Sequence, residues 1–136
     1  MASDKEMDKK NYTELAIYSE VSIMSRELRT SVKQMSKYYR YDVGDEIRGM
    51  LRNIKYTISD IHQMPDTHKY NFICDLLNKL NHLEIALTDC LEEGSLKLSG
   101  HYGISIPISR LIQVKGQAEK WKNYIYDRYV NKKSDP

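Results

Sequence analysis

Apolar residues along this chain recur at alternating spacings of three and four, the period of one helix face, in four separate stretches. In the first, spanning about residues 12–36, Tyr18, Val21, Ser25, Leu28, Val32 and Met35 form one stripe, with Ser25 its small member. Ile17 and Met24 widen that stripe, as suits a helix packed against two neighbours. The second stretch, about 44–63, carries Val43, Ile47, Met50, Leu51, Ile54, Ile58 and Ile61 in near-heptad register. Asp45 and Glu46 stand in its first turn, where the helix dipole favours negative charge, and Pro65 closes it.

Beyond the proline, Asp66 or Thr67 is placed to cap a third helix running to about residue 93. Its stripe is Ile73, Leu76, Leu77, Leu80, Leu83, Leu87 and Leu91, and Gly94 is placed as its C-terminal stop. A longer connection, about 95–105, holds Gly100 and Gly103; Ser105 and Pro107 then signal the start of a last helix. That helix reaches about residue 129, with Leu111, Val114, Ala118, Trp121 and Ile125 as its apolar face.

Four helices with one apolar face each, joined by short connections after the first two, predict an all-α, up-down-up-down antiparallel four-helix bundle over residues 12–130. Residues 1–11 and 131–136 lack the periodicity and are expected to be disordered tails. At 136 residues the chain is long enough for one core, burying roughly 68% of its unfolded surface without a disulfide or metal staple. Only 6 Gly and 3 Pro are present, too little punctuation for a protein of many strands. The charged N-terminal stretch does not resemble a signal peptide, and no apolar run approaches the roughly 20 residues of a membrane span, so the expected location is the cytoplasm.

Candidate chemistry is sparse. Cys74 and Cys90 fall in one predicted helix, about 24 Å apart at 1.5 Å per residue, too far for a disulfide. They read as buried free thiols, with a reactive or intermolecular thiol as the alternative. His62, His68, His82 and His101 lack HExxH or other ligand spacing, and no CxxC accompanies them, so no metal site is expected. His62 and His68 flank the Pro65 turn and are expected to face water, and His82, beside the stripe of the third helix, to sit at the boundary between core and solvent. Glu84, Asp75 and Asp89 are not followed by the histidine of a di-iron ExxH pair. With no GxxxxGK[ST] loop, GxSxG elbow or glycine-rich dinucleotide turn, the sequence predicts no enzyme activity, no cofactor and no small-molecule substrate.

The informative constellation is basic. Arg48, Arg52 and Lys55 stand at i, i+4 and i+7 on the second helix, each one position after a seam residue, so they share its exposed flank. Cations stacked without interleaved carboxylates repel one another and are easier to understand with a polyanion against them. A solvated face with acids supplied by a neighbouring helix fits the same spacing. Lys37 and Arg40, interleaved with Tyr38, Tyr39 and Tyr41 in the linker, suit phosphate contact and stacking on bases, though tyrosines at a turn also cover bundle ends. Lys115, Lys120 and Lys122 on the last helix, with Arg26, Arg29 and Lys33 on the first, either extend a basic surface or pair with Glu119 and Glu27. The net charge of +2, from 21 basic and 19 acidic residues, means that any basic surface must come from placement.

The run Tyr41-Asp42-Val43-Gly44-Asp45-Glu46-Ile47-Arg48 at the start of the second helix, and Val114-Lys115-Gly116-Gln117-Ala118-Glu119-Lys120-Trp121-Lys122 in the last, carry a resemblance over most of residues 12–126. The chain resembles the bacterial four-helix-bundle family that includes the accessory variability determinant (Avd) of diversity-generating retroelements and the proteins encoded in ribosomal RNA intervening sequences. Gly116 five residues before Trp121 is more similar to the Avd branch. The resemblance implies a homopentamer with a basic surface that binds RNA or DNA and docks the retroelement's reverse transcriptase, supporting mutagenic cDNA synthesis without chemistry of its own. The other branch implies a structural or protein-interaction bundle with no nucleic-acid role.

Overall fold

The computed structural model of the chain describes the backbone of residues 2–131 and the side chains of residues 16–131. It is an all-α four-helix bundle, and no strand occurs among the described residues. Helix α1 is Ala2–Lys33, α2 is Asp45–Gln63, α3 is Lys69–Glu93 and α4 is Ser105–Ile125. Each helix packs against its neighbour in sequence, and α4 closes the ring against α1, which is the up-down-up-down arrangement. Of the two expected tails, residues 132–136 lie outside the described residues, and the backbone of residues 2–11 belongs to the first turns of α1.

The predicted stripes meet in one core. Ile17, Val21, Met24, Leu28 and Val32 of α1 are fully buried against Ile47, Leu51, Ile54 and Ile61 of α2, Ile73, Leu76, Leu80 and Leu83 of α3, and Leu111, Val114, Ala118 and Ile125 of α4. The α1 stripe is centred differently from its sequence pattern. Ile17 and Met24 are as fully buried as Val21, Leu28 and Val32, while Tyr18 is 43% exposed, because α2 and α4 approach α1 from either side and leave Tyr18 at the rim. Val43, Met50, Leu77 and Leu91 are likewise only partly buried, at the margins of their stripes.

The connections carry several features the pattern did not reveal. Between α1 and α2 a single turn, Lys37–Tyr39, runs into a π-helical turn, Arg40–Gly44, that continues directly into α2. Gly44 is buried there, and a Cβ added to it would lie 2.9 Å from the Val32 side chain. Glycine at this position therefore lets the start of α2 lie against the end of α1.

After Pro65, neither Asp66 nor Thr67 caps α3 through its side chain; residues Asp66–His68 form a 3₁₀ turn and His68 occupies the cap position without a side-chain bond. The Asp66 carboxylate instead pairs with Lys69 at 3.1 Å and accepts the Tyr129 hydroxyl at 3.1 Å. It serves the tertiary fold, tying the α2–α3 turn to the π-helical turn Tyr126–Val130 that follows α4.

Gly94 stops α3 in the left-handed conformation, at φ 82°, as its position predicted. The loop beyond it is closed by its own backbone: the Ile104 and Ser105 N–H groups donate to the Lys97 and Leu98 carbonyls, both at 2.9 Å. Leu96 and Ile104 turn inward from this loop to seal the end of the core. Cys90 is buried and Cys74 half-buried, both as free thiols; burial pushes the Cys90 thiol above its ordinary pKa.

Candidate nucleic-acid interface

The second helix turns its buried row toward the bundle centre, and successive residues step about 100° around it. Arg48, Arg52 and Lys55 consequently stand together on the α2 edge that faces α1, whereas Thr57, on the opposite edge, accepts a hydrogen bond from Lys79 of α3 at 2.7 Å. The Lys55 ammonium confirms the direction, lying 5.8 Å from the centre of the Tyr18 ring on α1. Arg52 is exposed. Arg48 is more constrained: its guanidinium is ion-paired to Asp45 one turn earlier and reaches the Arg40 carbonyl at 3.5 Å. One of the three predicted cations is thus partly neutralised.

The first helix divides its charges between its two edges. Glu20 and Glu27 face α4, where both are held by Arg110, at 3.2 and 2.7 Å. These bonds raise the Arg110 guanidinium above its ordinary pKa, the Glu27 hydrogen bond being the larger cause. Arg29 and Lys33 lie about 20° and 60° around α1 from Tyr18, and Arg26 about 80°, on the edge that faces α2 and the solvent beside it. Arg29 is aligned by its Nε, which donates to the Ser25 hydroxyl at 3.2 Å. The α1–α2 flank therefore gathers Arg26, Arg29, Lys33, Arg48, Arg52 and Lys55. Glu46 is turned to the far side of α2, near Cys90, while Asp45 is paired into the flank through Arg48.

The linker cations border this flank. Arg40 lies 5.8 Å from the centre of the Tyr41 ring, Lys37 is exposed, and Tyr38 and Tyr39 pack edge to face with centroids 5.4 Å apart. The α4 lysines are elsewhere. Lys115 is ion-paired to Glu84 of α3, and Lys122 bonds Glu119 at 2.7 Å, the hydrogen bond that chiefly raises its pKa. Both stand on the α3–α4 edge, across the bundle from α2, and Lys120 is exposed about 140° around α4 from Lys115. The structure thus joins Arg48, Arg52, Lys55, Lys37 and Arg40 into one neighbourhood and leaves Lys115, Lys120 and Lys122 outside it.

No family model, no curated protein and no solved structure matches the chain. Among the described residues, no three His, Cys, Asp or Glu side chains come together as metal ligands would, and no helix is long and apolar enough to cross a membrane. The four histidines are exposed and dispersed, His82 included. What the sequence could not indicate is which side of α1 would lie beside α2. The partner that removes Glu20 and Glu27 from the basic flank is Arg110, 83 positions from Glu27, and no local spacing announces it.

Proposed function

We propose that this chain is a non-enzymatic nucleic-acid-binding bundle whose α1–α2 flank lies against a phosphate backbone. One observation carries the reading: among the described residues, the α1 acids Glu20 and Glu27 are drawn to Arg110 on the α4 side, away from the flank that the cations of α1 and α2 share. Exposed Tyr18 and Tyr56 beside the cations offer rings to bases. The resemblance to the Avd family extends the proposal to a role: a cytoplasmic homopentamer that accompanies the reverse transcriptase of a diversity-generating retroelement, supporting mutagenic copying of RNA into cDNA.

Binding to RNA or DNA is expected to weaken with salt, by roughly 0.7–0.9 in the log–log slope for each phosphate neutralised. Replacing Arg48, Arg52 and Lys55 together by Ala is expected to reduce that slope by about 2, with the thermal transition retained. An unchanged slope in a folded triple variant refutes the assignment of the flank.

A structural or protein-interaction bundle is the second reading, favoured by Ile85 on α3 and Ile112 on α4. Each is 58% exposed, beside the Glu84–Lys115 pair, and together they suit contact with another protein surface. Light scattering addresses assembly: a pentamer accords with the Avd role, and a monomer at micromolar concentration counts against it.

A further inference from the structure

At the end of the bundle where the α1–α2 linker meets the α3–α4 loop, the surface opens into a cavity of about 310 Å³. That volume is at the lower end of the roughly 300–1,000 Å³ typical of small-molecule sites. Met35 and Leu96, both buried, contribute apolar surface, and Tyr39, His101 and Tyr102 line it with three rings. Lys97 brings a cation, and among the described residues no carboxylate lines the cavity. Apolar surface, several flat rings and one positive charge are the requirements for holding a planar base that carries a phosphate.

The loop that presents these rings is held in an unusual shape. Tyr102 has φ 64°, a left-handed conformation that disfavours a bulky side chain, and its ring lies 4.2 Å from that of His101. Gly103 beside it has no space for a side chain, since a Cβ would fall 2.7 Å from the Leu98 carbonyl oxygen. Strained residues kept in place by a closed backbone are characteristic of ligand-holding segments. The cavity also adjoins the basic flank: Tyr39 lines it, and the carbonyl of the next residue, Arg40, accepts the Arg48 guanidinium.

We infer that this cavity receives an unpaired nucleobase from a single strand whose phosphates lie along the α1–α2 flank, with Tyr102 and His101 stacking on the base and Lys97 meeting its phosphate. The inference rests on the nucleic-acid reading of that flank and deepens it, because a duplex keeps its bases stacked and has none to insert. The chain would then distinguish single strands from duplexes at the bundle end while holding both by charge along its side.

The test uses the full chain and fluorescence anisotropy with a short single-stranded RNA and a duplex of the same length. Tyr102→Gly removes the ring while placing at φ 64° the residue that tolerates it best, so the loop is expected to survive. It should weaken single-strand binding about tenfold, leave duplex binding unchanged and leave the salt slope unchanged. Lys97→Gln, at an exposed position, should weaken single-strand binding by a smaller factor and lower its salt slope by about 0.7. It also reads the cavity should the loop variant fail to fold.

Equal losses for single strand and duplex, or no loss in either variant, overturn the inference. The flank is read separately by the Arg48, Arg52 and Lys55 triple variant. An unchanged slope there, with a selective single-strand loss in Tyr102→Gly, removes the flank and keeps the cavity. Titration with adenosine monophosphate distinguishes the other source of the same chemistry. Saturable binding lost in Tyr102→Gly, in a chain that treats single strand and duplex alike, assigns the cavity to free nucleotides and overturns the strand proposal.

Discussion

Lys69 tests how well the packing is understood, because a lysine with a side chain only 3% exposed must be supported or the fold pays heavily. Its ammonium lies 3.1 Å from the Asp66 carboxylate, itself 17% exposed, and 5.8 Å from the centre of the Trp121 ring. Lys69→Met keeps the length of the side chain and its packing on Trp121 while removing the charge. The Asp66 carboxylate, with the Tyr129 hydroxyl still bonded to it, would then lose the Lys69 ammonium in a poorly solvated site. Breaking a buried pair on one side costs about 3–5 kcal/mol, and the residual exposure of Asp66 places this case near the lower figure, about 3 kcal/mol.

For a bundle of this size that is a fall of roughly 10 °C in thermal midpoint, at about 3–4 °C per kcal/mol. Asp66→Asn in the same chain removes the carboxylate charge and keeps an acceptor for Tyr129, so the double variant should recover part of the loss. Urea and thermal unfolding of the wild type, both single variants and the double variant close the cycle. A Lys69→Met chain as stable as wild type, with no coupling to Asp66, refutes the reasoning.

Three further outcomes follow from local geometry. Gly44→Ala should destabilise by about 1–3 kcal/mol, because its Cβ meets Val32, whereas Gly49→Ala, with nothing within 4 Å, should stabilise α2 by about 0.5–1 kcal/mol; chemical denaturation of the two variants checks the contrast. The Cys90 thiol, raised by burial, should react with a chromogenic disulfide only as the chain unfolds, and half-buried Cys74 should react first in a Cys90→Ala comparison. Burial first, and the Asp66 hydrogen bond second, raise the Tyr129 hydroxyl above its ordinary pKa near 10. Its contribution is therefore full below that ordinary value and is lost as pH rises through the folded one, so Tyr129→Phe should flatten the alkaline limb of the stability profile.

The four helices were legible from spacing alone because an apolar stripe of period 3.6 has one favourable destination, the core. Gly94 was legible too, since a helix stop in the left-handed region favours glycine for a local reason. The basic row on α2 was visible for the same reason as its seam: both are set by positions within one helix. What remained hidden depended on partners distant in the chain. Asp66 appeared to be a cap until the fold brought Lys69 and Tyr129 to it. Tyr18 has the spacing of a core residue, and the approach of α2 and α4 from either side of α1 leaves it at the rim. The charges of α1 were indistinct until Arg110 drew Glu20 and Glu27 to one edge. The sequence by itself determined which face of each helix turns inward, because the direction of burial follows from periodicity. Only the tertiary structure decided which outward charges share a surface and which rings enclose a cavity, because those depend on the neighbours each helix acquires when the bundle closes.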